Sequence, residues 1–374
     1  MAREHPHRRR RSAIALGAVA FVGLCLLAAS CDDGHPATDV NHQPGTETTA
    51  TTPADPKLPF PPTADEPATS AGHAAKPAGT VVTIGGRPEG VAVDSASDAL
   101  GVSTDDAAHD FAIYDARTLA LRRTVTLASG ARHVTASGDG RFLVPLEGAA
   151  TLASVPAAGT AQGAGNASAS TAPTSVTVGD HPHNVLVVGR DTLVANEYGD
   201  SVTVIRDGKV RATVPVDVQP GGMADVGNGQ VAVISVRAYT VELLDLETLT
   251  TGPSQNAGYG PSHAVGDPMT GRAFVVDTRG GNLLTYATRP RLKFAGRLHL
   301  GGSPYGIAFD ATRARLWLTD SGADRLYEIS TTGTPRVIKT FPTVRQPNTV
   351  AVDPSTGAAI VAGEARGQLE RITP

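Results

Sequence analysis

The chain is predicted to be all-β, a seven-bladed β-propeller of four-stranded antiparallel blades, on three observations. First, a phrase made of proline, a turn pair and an apolar run closing on aspartate recurs. Pro88-Glu89-Gly90-Val91-Ala92-Val93-Asp94, Pro304-Tyr305-Gly306-Ile307-Ala308-Phe309-Asp310 and Pro347-Asn348-Thr349-Val350-Ala351-Val352-Asp353 are its clearest copies. Weaker copies begin at Pro182, Pro220 and Pro261, and the copy at Ala131 lacks the proline. Second, the steps between successive copies are 43, 51, 38, 41, 43 and 43 residues, the period of a propeller blade. Third, the two ends of the repeat are incomplete in complementary ways. Val81-Val82-Thr83-Ile84 stands where a fourth strand precedes the next phrase, and the seventh copy stops after its third strand. Pairing the N-terminal strand with the C-terminal blade, at residues 368–372, closes the ring and removes the edges that a linear array would expose.

The chain has 374 residues, 18% of them charged and 4% aromatic, with a formal net charge of -4. Its dense basic run is confined to residues 8–11, so no basic face is foreseen and nucleic acid is not an expected partner. That run precedes an apolar stretch, residues 13–29, and then Ser30-Cys31, the order of an export signal. Leu27-Ala28-Ala29-Ser30-Cys31 resembles the lipobox of bacterial lipoproteins, with Ala28 where leucine is commonest. The resemblance implies that residues 1–31 comprise signal peptide and lipobox, that Cys31 is lipidated, and that the protein is extracytoplasmic, anchored through the lipid to a bacterial cell membrane. Cysteine usage agrees: Cys25 lies inside the segment to be removed and Cys31 is the one other thiol. Residues 32–79 are Pro/Thr/Ala-rich with few large apolar side chains, a composition that cannot offset the entropy of ordering and predicts a disordered tether.

Residues 80–374 are assigned to the propeller. Within a blade the strand nearest the axis is crowded, which suits runs such as Val91-Ala92-Val93. A second strand buried on both faces reads as continuously apolar, as in Ala273-Phe274-Val275-Val276 and Leu316-Trp317-Leu318. The third alternates, as in Ser201-Val202-Thr203-Val204-Ile205, and Arg206-Asp207-Gly208-Lys209 supplies a hairpin turn. Two places depart from the pattern. A Gly/Ala/Ser/Thr stretch, residues 157–171, reads as a flexible loop between the third and fourth strands of blade two, and blade four has a poor fourth strand around residues 249–253.

The repeated P-x-x-V-A-V-D phrase and the second strand Leu316-Trp317-Leu318-Thr319-Asp320 resemble the YVTN/YncE-like family of bacterial β-propellers, and more distantly the NHL and streptogramin-lyase-like propellers. The likeness covers residues 80–374. It implies an extracytoplasmic binding or scaffold protein.

In such propellers the loops before the first strand and between the second and third strands open on one face around the axis. This places Glu89, Arg132, Asn184, Glu197, Asp277, Tyr305 and Asn348 as a ligand-binding face, with Glu147 and His181 in the wider set. Of His109, His133, His181, His183, His263 and His299, all but the last map there. His133, His183 and His263 are the candidate metal ligands, since imidazoles with carboxylates are the donor set of zinc and related divalent ions. The expected function is a non-catalytic scaffold for an unknown protein or small ligand, with zinc handling its sharpest version. The alternative is a divalent-metal-dependent lyase or lactonase-like enzyme using the same face. No residue is assigned a catalytic role, for the chain carries neither an H-E-x-x-H motif nor a nucleophile elbow.

Overall fold

The structure is a computed structural model that describes residues 64–72, 75–104, 108–158 and 172–374. The expectations for the signal peptide, for Cys31 and for most of the tether therefore lie outside the described residues, as does nearly all of the blade-two insertion.

Seven antiparallel sheets follow one another along the chain, and in six of them the strands are ordered as in sequence from the inside out. Six are continuous segments. The seventh consists of Pro347–Val352, Ala359–Gly363 and Gln368–Ile372, completed by the N-terminal strand Thr80–Thr83. That closing pair is antiparallel, with Thr80 opposite Arg371 and Thr83 opposite Gln368. The first strands of neighbouring blades touch in ring order, and the last touches the first. Apart from two 3₁₀ turns, Glu147–Ala149 and Glu364–Arg366, the described residues hold no helix.

The recurring phrase now has a physical account at both ends. Its closing aspartate turns back on the loop that follows: Asp94 accepts from the Ser97 amide at 3.1 Å, Asp267 from those of Met269 and Thr270, Asp310 from Arg313, and Asp353 from Ser355. A short carboxylate is suited to this turn because it replaces a backbone acceptor at the strand end. The opening proline begins the first strand in each of the six copies that have it, and there the ladder is interrupted by a bulge. The residue after the proline is left without a cross-strand partner: Glu89, His183, Gly221, Ser262, Tyr305 or Asn348. A bulge re-aims such a side chain out of the sheet, so one local device, present in six blades and carrying a side chain in all but the Gly221 copy, contributes to the rim of the axis. The copy without proline has the shortest first strand, Thr135–Ala136.

The core is divided into seven hydrophobic clusters, one between each neighbouring pair of blades. Second strands feed two clusters at once. Ala273 and Val275 pack toward blade four while Phe274 and Val276 pack toward blade six, which is why these strands lack a polar face. Trp317 is fully enclosed between blades six and seven. Outer strands such as Leu121–Thr126 and Lys293–His299 are mostly exposed. In blade four the outer strand is broken into Thr250–Thr251 and Gln255–Asn256, both paired with Thr240–Asp245. Pro253, which has no amide proton to give the ladder, sits in the gap.

Candidate metal-binding site

The site is built where blades two and three meet the axial face. Glu147 opens the 3₁₀ turn after the second strand of blade two, Arg141–Leu146. Glu197 follows the corresponding strand of blade three, Asp191–Asn196. His181 precedes Pro182 with a left-handed backbone, φ 53°, and its carbonyl accepts the Glu197 amide at 2.9 Å. Such a conformation is unfavourable for a residue with a Cβ and is held by the loop around it. It places the imidazole between the two carboxylates.

His181 Nε2 lies 3.1 Å from Glu147 Oε2 and 3.9 Å from Glu197 Oε2. Glu147, His181 and Glu197 each offer a ligand atom, and these atoms lie within 4.8 Å of one another. His183, the bulged residue of blade three, holds both carboxylates from below: its Nδ1 is 2.7 Å from Glu147 Oε1 and 3.5 Å from Glu197 Oε2. Gln219 donates to the other oxygen of Glu197 at 2.8 Å, and the Tyr198 ring stacks on His181 at 4.1 Å. Ligand atoms gathered around a zinc ion stand about 3–4 Å apart, given metal–ligand bonds near 2.0–2.2 Å. The two separations from His181, 3.1 and 3.9 Å, match that spacing, and the outer contacts from Gln219 and His183 are of the kind that orient metal ligands.

Electrostatics divides the histidines into two kinds. Burial works against a charged His181, but the hydrogen bond to Glu147 and the neighbouring carboxylates outweigh it, so its pKa lies above the usual imidazole value. Burial would likewise raise the Glu147 carboxyl, yet its bonds to His181 and His183 hold it far below the usual carboxylate range. His133 and His263 are the reverse case. Deep burial, reinforced by the like charge of neighbouring histidines and Arg132, pushes His133 well down and His263 to about 3. Both are neutral rings at physiological pH.

Of the residues predicted from sequence, the structure brings His133 and His183 together through a contact of 3.0 Å between their Nε2 atoms. His263 stands beside His133, with ring centroids 5.4 Å apart, and edge-on to the buried Tyr305 at 4.6 Å. These four line the axis as a row of rings. His263 Nδ1 and Asn348 Oδ1 are buried there without a protein hydrogen-bond partner. Asn348 approaches Glu89 at 3.5 Å, and Arg132 pairs with Glu66 at 2.6 Å. Asn184 is paired in the ladder opposite Ala195. Asp277 is used up in its own blade: it accepts from the amides of Tyr259, Gly260 and Gly280 and from Asn282, all within 3.1 Å. Glu147 and His181 emerge as closer to the centre of the cluster than the sequence reading placed them, and Gln219 and Tyr198 were not foreseen at all. A signal existed in the offset from the strand end: Glu147, Glu197 and Glu364 come one residue after the second strand, whereas Asp277 and Asp320 are its last residue.

No protein family and no curated protein matches the chain by sequence. Solved structures match its fold. Hydrazine synthase of Kuenenia stuttgartiensis is 15% identical with a TM-score of 0.63, covering 78% of this chain and 97% of that one. Virginiamycin B lyase of Staphylococcus aureus is 13% identical with a TM-score of 0.64, covering 79% and 98%. A chain of the mitotic checkpoint complex is 9% identical with a TM-score of 0.67, covering 84% and 97%. At these identities the likeness is one of architecture, and propellers of this kind carry lyase chemistry and assembly roles alike.

Proposed function

We propose that the protein is a non-catalytic binding module that takes a divalent cation of the zinc type at Glu147, His181 and Glu197. In this reading it acts outside the cytoplasm, lipid-anchored through Cys31. The observation that carries the metal reading is the mutual approach of one imidazole nitrogen and two carboxylate oxygens from separate blades. Two anionic oxygens and an imidazole nitrogen that gives up its proton on binding suit a divalent ion, and three protein ligands leave room for an exogenous fourth. The anchor reading rests on the lipobox-like residues 27–31 and the absence of any other thiol from the chain after Cys25.

Calorimetric titration of the full chain with zinc tests the site. One equivalent should bind, and Glu147→Gln with Glu197→Gln should weaken binding at least about 100-fold, the loss expected when carboxylate ligands are removed. Failure of the wild-type chain to bind zinc or any first-row divalent ion would overturn the reading. Labelled palmitate should be incorporated by the wild type and not by Cys31→Ala.

A second reading, a metal-dependent lyase or lactonase-like enzyme, draws on the neutral rings of His133 and His263 beside the carboxylates, which could accept a proton. Turnover of a lactone panel by the metal-loaded chain, lost in His133→Ala at unchanged metal affinity, would favour it over pure binding.

A further inference from the structure

Residues 64–72, Ala-Asp-Glu-Pro-Ala-Thr-Ser-Ala-Gly, belong to the stretch read as tether, yet they are seated on the axial face as an extended strap. Asp65 pairs with Arg279 of blade five, and its neighbour Glu66 pairs with Arg132 of blade two at 2.6 Å. These blades stand on opposite sides of the ring, so two consecutive acidic residues reach across the axis. The strap then follows the rim. The Ala68 amide donates to Ser321 of blade six at 2.9 Å, and the Ser70 carbonyl accepts from Arg345 ahead of blade seven at 2.7 Å. Ser70 is 1% exposed.

The groove is shaped for this occupant. A Cβ on Gly260 would lie 1.6 Å from Asp65 Oδ2, so in this seat the carboxylate occupies the space that a side chain at 260 would take. Glu66, Pro67 and Thr69 border a polar cavity of about 500 Å³ whose other walls are Arg87, Arg132 and Gln346 with the carboxylates of Glu89, Glu147 and Glu364. The contacts are main-chain bonds and ion pairs, and the Glu66 side chain remains 61% exposed. The Glu66 pair is of the exposed kind that contributes little and exchanges readily, whereas the Asp65 side chain is only 12% exposed and is the firmer anchor.

We propose that this groove is a recognition surface for acidic, extended peptide segments, and that residues 64–72 are its resident, releasable occupant. Specificity comes from two arginines set across the axis at the spacing of adjacent side chains of opposite orientation in an extended chain. Ser321 and Arg345 read the main chain beyond them. A partner presenting an Asp-Glu pair in extended conformation displaces the strap, and the metal-site reading is not required for this.

The test uses the full chain and a fluorescent peptide of the strap's own sequence, with binding followed by anisotropy. The variant Asp65→Asn with Glu66→Gln releases the strap and should bind the peptide about tenfold more tightly than the wild type, whose tethered segment competes at high effective concentration. A peptide with Asn-Gln in place of Asp-Glu should not bind, a control independent of any folding defect. Adding Arg132→Ala and Arg279→Ala should abolish the gain. Hydrogen exchange at the Ala68 amide should be slow in the wild type and fast in the released variant. Equal peptide affinity for wild type and released variant, no binding by the released variant, equal binding of the neutral peptide, or free exchange of Ala68 in the wild type would each overturn the proposal.

Discussion

Blades three and seven build the same loop corner with different outcomes. In both, the residue before the opening proline has a left-handed backbone, His181 in one and Gln346 in the other. In both, its carbonyl accepts the amide of a glutamate one residue past the second strand, Glu197 or Glu364. The side chains then part ways. Gln346 donates to Glu364 at 2.7 Å, and Arg87 covers the other oxygen, which closes the corner as an ion pair. At blade three the pre-proline residue is an imidazole, and the neighbouring blade supplies a second carboxylate, Glu147, in place of an arginine. One corner is electrostatically complete, and the other presents donors to a cation. Blade five adds a third solution. Its strand-end Asp277 turns inward and fastens three amides, a staple repeated by Asp320 on the Ser303 amide and by Asn196 on the Gly179 amide. A face carboxylate is thus a candidate ligand, a salt-bridge partner or a staple according to its offset from the strand end and its neighbour across the blade boundary.

The staple is the place to break this comparison with the largest effect. Asp277→Ala leaves the buried amide of Gly260 and the part-buried amides of Tyr259 and Gly280 without an acceptor and should lower stability by about 3 kcal/mol. Denaturant midpoints would show it, and zinc affinity of the folded variant should stay unchanged. Removing one glutamate from each of the other two corners sharpens the contrast. Glu147→Gln should cost zinc affinity about tenfold or more, while Glu364→Gln should leave it within about twofold; equal losses would mean that zinc does not distinguish the corners.

A smaller, graded effect separates the neutral rings from His181. In the unfolded chain His263 takes up a proton near pH 6.5, but in the folded chain only near pH 3. The unfolded state therefore binds more protons over that window, and stability falls as the pH is lowered through it. The slope should approach about 1.4 kcal/mol per pH unit for this one residue, and its contribution vanishes above pH 7. His263→Leu should flatten the stability profile between pH 4 and 6; an unchanged slope would refute the assignment. His181, with its pKa raised, contributes in the opposite sense, adding stability that fades as pH rises through the folded value.

Much of the architecture could be read directly from residues. The spacing of the proline phrases counted the blades, the missing strands at the two ends foretold the pairing of the N-terminal strand, read as residues 81–84 and found as Thr80–Thr83, with Gln368–Ile372, and the weak stretch at residues 249–253 flagged the outer strand of blade four. These succeed because strand period, turn chemistry and the absence of a proline amide act over a few residues. The site is another matter. Glu147 and His181 are 34 positions apart and Glu147 and Glu197 are 50 apart, and their convergence depends on the pitch between two blades and on a bulge that turns His183 toward the axis. Asp277 looked equivalent to Glu197 because a loop assignment does not resolve the single-residue offset that turns one carboxylate into a staple. The strap was hidden more deeply. Asp65-Glu66 sits in low-complexity sequence that cannot order itself, and its place was set by Arg132, Arg279 and the vacant Cβ position of Gly260, contributed from blades two and five. Local chemistry along the chain determined the blades and their closure; which side chains meet at the axis was decided only when the ring brought distant blades side by side, because that juxtaposition is a property of the closed circle and not of any one repeat.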